Sequence, residues 1–132
     1  MIYKEEAYRL IGACIEVHRE KGSGFHESVY QECLDIEFEH QKIPAISKPK
    51  QELEYRGKKL VQTFEPDFVC LSDIILEIKA VTKLVDPHRA QVINYLKATG
   101  FPLGLLVNFG AEKRLEWERL VYTKGSPPTL LT

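Results

Sequence analysis

Two acidic residues and a lysine lie in the most apolar stretch of the chain. Asp67 follows Pro66, and after nine intervening residues come Glu77, Ile78 and Lys79. The segment around them is predicted to form two adjoining strands, and an ionised group inside a buried strand costs several kcal/mol unless it is compensated. A divalent metal held by Asp67 and Glu77 would neutralise this charge. It would also supply chemistry that cleaves phosphodiester bonds.

Strand geometry predicts how these side chains converge. Glu77 and Lys79 are two apart and therefore share a face, while Ile78 points oppositely. If the preceding strand runs antiparallel beside them, Asp67 lies opposite Glu77. Magnesium takes such ligands and keeps several waters, one of which could attack a phosphate, with Lys79 orienting that water or offsetting phosphoryl charge. The alternative is an ion pair of Lys79 with a carboxylate that only stabilises the sheet.

The helix that follows this strand carries further candidates. Gln91 and Tyr95 are four apart and share a face, with His88 one turn before Gln91. A short connection would bring the first turns of this helix near the end of the strand. There the Gln91 amide could hold a water or the scissile phosphate, and the Tyr95 hydroxyl could contact a nucleic-acid backbone. The alternative is amphipathic packing, with Tyr95 in the core and Gln91 at its rim.

Glu27 is a third acidic candidate, at the start of a predicted helix. It precedes Tyr30 by three positions and is predicted to share its face. As a functional residue it would be a third metal ligand, although the helix dipole alone favours a carboxylate there by about 0.3–1 kcal/mol. We predict nucleic-acid contacts from Tyr30, Tyr95 and His88.

Length and composition favour one ordinary globular domain. The chain has 132 residues, 44% of them hydrophobic and 28% charged, which suits a single core. We place a nuclease-like domain at residues 1–124 and a loose tail at residues 125–132. No stretch approaches the length of a membrane span, and the N-terminus lacks the pattern of a secretory signal. We therefore expect a soluble cytoplasmic protein without membrane contact.

Charge and cysteine content limit the classes of function. A net charge of −1 argues against coating nucleic acid through bulk electrostatics, so any such contact must be local. One basic cluster surrounds a predicted hairpin near Arg56. The three cysteines lack the spacing of a disulfide framework or a metal site. We expect buried free thiols.

The helices and strands that would position these residues are predicted from the spacing of apolar residues and from the residues that begin and end helices. Apolar residues recur at steps of three and four from Ala7 to His18, which predicts a first helix ending at residues 21–24. A second helix runs from His26 or Glu27 to about His40. A third has Asp86 as N-cap, Pro87 at its first position and Gly100 after its end. Strands are predicted at residues 46–55 and 59–70, which form a hairpin, at 74–80 in the centre of the sheet, at 103–107, and at 117–122 on its edge.

Five segments of the chain together resemble one known family. They run from about Leu10 to Tyr122 in that family's order. The chain is similar to the GxxExxY proteins of the PD-(D/E)XK, or restriction-endonuclease-like, nuclease superfamily. The matching segments are Gly24-Phe-His-Glu27-Ser-Val-Tyr30, Pro66-Asp67-Phe-Val69, Leu76-Glu77-Ile-Lys79-Ala80, His88-Arg-Ala-Gln91-Val-Ile-Asn-Tyr95-Leu96 and Leu103-Gly-Leu-Leu-Val-Asn108-Phe-Gly110.

This resemblance implies a fold and an activity. The fold would be α/β, with a central mixed β-sheet flanked by helices. The site would hold Mg²⁺ or Mn²⁺ at Asp67 and Glu77, with a catalytic Lys79, and with Glu27 contributing acidity. Gln91 and Tyr95 also match the QxxxY element of RecB-like and lambda-exonuclease-like branches. The three cysteines cannot supply the iron-sulfur cluster that RecB-like branches often carry, and the chain shows no extra DNA-recognition domain.

Two hypotheses from different classes follow. In the first, the protein hydrolyses phosphodiester bonds of DNA or RNA with Mg²⁺ or Mn²⁺, and it forms a homodimer to offer a duplex enough surface. In the second, a nuclease fold binds nucleic acid or a protein partner without cutting, because a fold alone does not guarantee activity. Hydrolysis of another substrate is a weaker third alternative. The residues proposed for catalysis, Asp67, Glu77, Lys79 and Gln91, are all present.

Overall fold

A six-stranded sheet lies at the centre of the computed structural model, which describes residues 3–123 and 129–131. A separate two-stranded sheet stands beside it. In chain order the elements are α1 (Lys4–Lys21), α2 (Glu27–His40), β1 (Ala45–Ser47), β2 (Gln51–Tyr55), β3 (Lys58–Phe64), β4 (Phe68–Cys70), β5 (Ile74–Lys79), α3 (Asp86–Thr99), β6 (Leu103–Asn108), β7 (Glu116–Val121) and β8 (Thr129–Leu131).

The central sheet is mixed. Its strand order is β1-β4-β5-β6-β7-β8, and β5 and β6 are parallel whereas the other neighbours are antiparallel. The parallel pair needs a crossover, and α3 supplies it. The predicted α/β class, with a mixed sheet flanked by helices, is confirmed. None of the helices in the described ranges has the length and apolar character that a bilayer crossing requires.

The two faces of β5 belong to different cores. Leu76 and Ile78 pack in the cluster that contains the buried sides of α1 and α2. Ile75 packs in a second cluster with the buried side of α3. Because side chains alternate along a strand, Glu77 and Lys79 face the α3 side. The predicted central position of this strand, buried on both faces, is confirmed.

Gly104 in β6 lets α3 lie close to the sheet. A Cβ atom there would come within 2.5 Å of the Val92 Cγ1 atom of α3. At its other end the helix stops at Gly100, whose φ of 75° suits glycine. The predicted ends of α3 agree with the structure to within one residue. The N-cap, however, is Val85 rather than Asp86, and the His88 ring accepts a hydrogen bond from the Val85 amide at 3.1 Å.

The prediction of two long hairpin strands was wrong. Each is broken into two, at residues 48–50 and at residues 65–67. Pro49 and Pro66 lie in the breaks, and proline cannot donate to a strand ladder. Lys48 also has a φ of 49°, outside the strand region. As a result β1 pairs with β4 in the main sheet, while β2 and β3 form the separate pair.

The C-terminal part of the sheet also differs from the sequence prediction. Strand β7 was predicted to be an edge strand, but it pairs with β8 on its outer side, so that prediction was wrong. The predicted loose tail, residues 125–132, falls largely outside the described residues. Within it, residues 129–131 form β8.

Candidate active site

Asp67 and Glu77 hold each other in place at one end of the β4–β5 pair. The antiparallel register pairs Phe68 with Leu76, which puts the preceding residue, Asp67, opposite Glu77. The Asp67 amide donates a hydrogen bond to Glu77 Oε1 at 2.7 Å, and the Ile78 amide donates to Asp67 Oδ2 at 2.8 Å. The predicted opposition of the two carboxylates is confirmed. Their roles as metal ligands stay a prediction.

The environment of Glu77 disfavours its ionised form. The residue is only 3% exposed. Burial and then the charge of Asp67 raise the pKa of Glu77 to about 8, against the opposing effects of the Asp67 amide and the Lys79 ammonium. A bound cation would favour the ionised form. Asp67 and Lys79 are partly exposed, so solvent can reach the carboxylate pair from their side.

Lys79 is tied to α3 rather than to the carboxylates. Its Nζ atom donates a hydrogen bond to Gln91 Oε1 at 2.9 Å. In the described part of the chain Lys79 forms no salt bridge, although its charge acts on the pKa of Glu77. The structure therefore brings Gln91 to the catalytic candidates, as the β-to-α connection predicted. A simple ion pair of Lys79 with a carboxylate does not describe this arrangement.

Tyr95 lies at the rim of the same cluster and is partly exposed. Its pKa is raised by burial first and then by the charges of Glu77 and Asp67, while a hydrogen bond with Gln91 lowers it. The Tyr95 ring stacks on Phe64 of β3, with ring centroids 4.6 Å apart. Tyr95 thus joins the site to the β2–β3 pair.

Glu27 lies near the carboxylate pair without completing a metal cage. Partial burial and then the charge of Asp67 raise its pKa, and the charges of Lys79 and Lys48 lower it. The described residues contain no group of three His, Cys, Asp or Glu side chains placed to hold a metal ion together. Glu27 therefore interacts electrostatically with the site. The structure does not place it with Asp67 and Glu77 as a third ligand.

The structure contradicts the placement expected for Tyr30 in a nucleic-acid contact. Its side chain is fully buried and stacks on Phe109, with centroids 4.6 Å apart. The hydroxyl donates to the Gly22 carbonyl oxygen and accepts a bond from the Phe25 amide. Tyr30 thus supports the loop between α1 and α2 from inside, where nucleic acid cannot reach it.

His88 serves the start of α3 rather than the carboxylate cluster. Its Nδ1 atom accepts a hydrogen bond from the Val85 amide. The ring is partly exposed, so the structure leaves a contact with nucleic acid untested. It does not bring His88 into the hydrogen-bond network of the catalytic candidates.

Sequence reasoning missed two residues that position Asp67. The Gln31 amide group donates to the Asp67 carbonyl oxygen at 3.0 Å and to the Ser47 hydroxyl at 2.8 Å. The backbone amide of Lys48 donates to the same carbonyl oxygen at 2.9 Å. A signal for Gln31 existed, since it lies four positions after Glu27 and therefore on the same helix face.

Asn108 lies in the last of the matching segments, and the structure gives it a specific task. This fully buried side chain accepts from the Val81 amide and donates to the Val81 carbonyl oxygen, both at 2.9 Å. It also accepts from the Gly110 amide and donates to Glu116. Gly110 lies so close that an added Cβ would meet the Val81 oxygen at 2.1 Å. Asn108 and Gly110 therefore fix the segment that leaves β5 just after Lys79.

A cavity adjoins this end of the sheet. It has a volume of about 520 Å³ and is lined by the loop before α2, by residues 80–82 that follow β5, and by Gly110 and Glu112. Its lining includes the residues directly after Lys79 in the chain, but it does not include Asp67, Glu77, Lys79 or Gln91.

The mixed sheet, with two opposed carboxylates and a lysine at one strand end, defines a nuclease-like α/β fold. Comparison with known proteins agrees. The model of the PD-(D/E)XK nuclease superfamily matches residues 4–120, and the chain belongs to this superfamily. No protein with curated annotation matches the chain.

One solved structure shows the same fold at low sequence identity. It is described as "Crystal structure of SSO0001", with a TM-score of 0.58 and 17% identity, and the similarity covers 92% of this chain. This chain spans 60% of the length of that protein. At this identity the likeness shows the fold alone.

The donor set fits a hard divalent ion. Mg²⁺ is usually bound by one or two carboxylates and keeps several waters, so it does not need a complete protein cage. Asp67 and Glu77 provide two adjacent carboxylates, and the raised pKa of Glu77 reflects its burial first and then the charge of Asp67. Superfamily membership points to the same kind of ion.

Proposed function

We propose that the protein is a Mg²⁺- or Mn²⁺-dependent nuclease that hydrolyses phosphodiester bonds of DNA or RNA, and that it belongs to the GxxExxY group of the superfamily. The observation that carries the proposal is the Asp67–Glu77 pair, cross-bonded at one strand end with Lys79 on the same face. Each of these groups has a use in phosphodiester hydrolysis, and the partial exposure of Asp67 and Lys79 allows an ion and a phosphate to enter.

Each residue has its own role in this proposal. Asp67 and Glu77 would hold the ion, which would supply Lewis-acid stabilisation of phosphoryl charge and lower the pKa of a water. Glu27 adds negative potential beside them. Lys79 offsets charge that develops on the phosphate, and Gln91 keeps the Lys79 ammonium at the site.

The proposed partner is nucleic acid, contacted locally because the net charge is only −1. Tyr95 is the proposed backbone contact from the site itself, since its hydroxyl lies beside Gln91 and near both carboxylates. His88 lies one turn before Gln91 and is proposed to contact the nucleic-acid strand that flanks the site. Tyr30 is not part of this surface.

A second copy of the chain is the proposed protein partner. The exposed side of α1 borders a groove of about 340 Å³ lined mainly by apolar groups, among them Ile15 and Trp117. Tyr8 in the same groove is 79% exposed. In a two-fold pair, the groove of one copy would face the same groove of the other. Contact through the same patch on both copies is the usual arrangement of a homodimer.

Sedimentation of wild type and Tyr8→Glu tests this partner. The charged variant should sediment as a monomer at concentrations where wild type is a dimer, with unchanged circular dichroism. Identical sedimentation of the two proteins would exclude an interface at α1.

Metal titration combined with cleavage assays tests the activity. Wild type should bind Mn²⁺ in calorimetry and cleave single-stranded DNA, duplex DNA or RNA, and Glu77→Gln should lose both properties. Lys79→Met should bind Mn²⁺ but lose at least about 100-fold in rate, the order typical of a removed charge-stabilising donor. Lys97→Met, on the exposed side of α3, is the matched control and should retain activity.

The assays also separate the proposal from a binding module that does not cut. Metal binding without turnover on all three substrates would favour that alternative. Failure of folded wild type to bind Mn²⁺ would reject the metal site itself. Circular dichroism of each variant excludes unfolding as the cause of a lost signal.

A further inference from the structure

The β2–β3 pair is an arm that projects from the main sheet beside the candidate active site. Ser47 of β1 pairs with Phe68 of β4, so the residues between them leave the sheet and return at the same point. We call residues 51–64 of this insertion the arm. Asp67 lies where the chain re-enters the sheet, and the Lys48 amide binds the Asp67 carbonyl oxygen at 2.9 Å where the chain departs.

The outer part of the arm is exposed and positively charged. Residues 55–61 read Tyr-Arg-Gly-Lys-Lys-Leu-Val and contain three cations and no acid. Tyr55 is 66% exposed and lies under the Arg56 guanidinium, 5.9 Å from its ring centre. Val61 is 95% exposed. Lys59 pairs with Glu52 at 3.0 Å, but both side chains remain mostly in solvent.

The arm is fixed at its root to the candidate active site. Phe64, its last residue, stacks on Tyr95, which in turn interacts with Gln91 and senses the charges of both carboxylates. Strand β2 also packs against α3. The direction in which the arm leaves the sheet is thus set relative to the site, so a ligand held along the arm reaches the carboxylate pair in a defined register.

We propose that the arm binds double-stranded DNA, entering the major groove and placing the backbone at the carboxylate pair. The inference rests on the proposed nuclease function and names the substrate class. A B-form major groove, about 12 Å wide, admits a two-stranded β-ribbon, whereas the major groove of A-form RNA is too narrow for side chains to read. A seven-residue strand such as β3 extends about 23 Å, long enough to follow the groove.

The residues of the arm divide into two kinds of contact. Arg56, Lys58 and Lys59 contact phosphates and fix the position of the duplex. The exposed Val61 supplies an apolar contact at the groove floor, where thymine methyl groups lie. A chain with little net charge gains a local anion-binding surface in this way.

Equilibrium binding without cleavage tests the arm. Fluorescence anisotropy in EDTA compares wild type with the triple variant Arg56→Asn, Lys58→Gln, Lys59→Gln, in which Asn suits the positive φ of 51° at position 56. The control, Arg9→Gln, Lys21→Gln, Lys97→Gln, removes the same charge from exposed positions on α1 and α3. The probes are duplex DNA, single-stranded DNA and duplex RNA of one sequence.

The arm variant should bind duplex DNA at least about 10-fold more weakly than wild type. Its plot of log affinity against log salt should be shallower by up to about 2.7, or 0.9 for each of three phosphates. The control should match wild type, and wild type should prefer duplex DNA to the other probes. Equal binding by the arm and control variants, or a preference for single strands or RNA, overturns the proposal.

Cleavage is measured separately, so the two proposals can fail independently. Wild type that binds duplex DNA through the arm but does not cut it with Mn²⁺ supports the arm and rejects the nuclease function. Equal rates of DNA cleavage by wild type and by the arm variant support the nuclease function and reject the proposed role of the arm. Loss of self-association in the arm variant, with DNA binding intact, assigns the arm to a protein interface and overturns the proposal.

Discussion

Lys79 and Gln91 are joined by a hydrogen bond of 2.9 Å that links the central strand β5 to the helix packed on its face. The Gln91 oxygen accepts from the Lys79 ammonium, so the lysine side chain is held in one orientation although it lies partly in solvent. Gln91 also interacts with Tyr95. The helix therefore positions the catalytic candidate of the strand.

We expect Gln91→Ala to lower kcat more than it changes KM. Without the amide, the Lys79 ammonium is free to move, and a displacement of about 1 Å can cost up to about 100-fold in rate. Steady-state kinetics with Asn94→Ala, an exposed position on the same helix, provides the control. A Gln91 variant with wild-type kcat would show that Lys79 needs no such support.

The metal-free protein should lose stability as the pH rises from about 5 to about 8. Glu77 has an ordinary pKa of 4.5 when unfolded and a pKa of about 8 when folded, so the folded state binds more protons in this window. The free energy of unfolding then falls with pH. The total is of the order of a few kcal/mol, since one pKa unit corresponds to about 1.4 kcal/mol. Urea unfolding in EDTA measures it.

Glu77→Gln is the control for this pH dependence. Glutamine cannot ionise but can still accept the bond from the Asp67 amide. The variant should show a flatter stability profile and should be more stable than wild type at pH 8. Parallel profiles for the two proteins would contradict the assignment to Glu77.

Manganese should stabilise wild type and release about one proton per ion at pH 7. Glu77 must lose its proton to act as a ligand, and metal binding is linked to deprotonation of the ligand. At 100 times the dissociation constant, stabilisation should reach about 2.7 kcal/mol. Calorimetry in two buffers of different ionisation enthalpy counts the protons. A signal that does not depend on the buffer would show that Glu77 is already ionised.

Asn108→Ala should destabilise the fold and reduce activity. The change leaves the buried Val81 amide and carbonyl groups without their partner, and each unsatisfied group costs about 1–3 kcal/mol. The segment after Lys79 then loses its anchor. Thermal unfolding of Asn108→Ala and Asn94→Ala provides the comparison. Equal stabilities would mean that water replaces the Asn108 side chain.

Tyr30→Phe should cost about 1 kcal/mol in stability, the net contribution of a typical hydrogen bond, and leave nucleic-acid affinity unchanged. The ring keeps its stack on Phe109, while the hydroxyl bond to Gly22 is lost. Chemical denaturation and binding assays on the same preparation separate the two effects. A weaker affinity for nucleic acid with unchanged stability would mean that Tyr30 contacts nucleic acid.

Local periodicity was enough to predict the heart of the site. Glu77 and Lys79 share a face because strand side chains alternate, and Asp67 lies opposite Glu77 because a short turn makes β4 and β5 antiparallel. The contact of Gln91 with Lys79 followed from the short connection between β5 and α3. In each case a few neighbouring residues determine the geometry.

Relationships across the chain were beyond such reasoning. Tyr30 and Gln31 both follow Glu27 within one helical turn, but packing of α2 on the sheet decides that Tyr30 enters the core and Gln31 meets Asp67. The strand breaks were missed although Pro49 and Pro66 marked them, because alternation continued on both sides. Nothing local to Phe64 indicated that it would stack on Tyr95.

The closure of β1 on β4 beneath the arm has a consequence for engineering. Ser47 and Phe68 pair in the sheet at the root of the arm, so the outer residues 55–61 are a replaceable cassette as long as Phe64 keeps its stack on Tyr95. Chimeras that exchange this cassette should fold as the parent does and differ only in what they bring to the carboxylates.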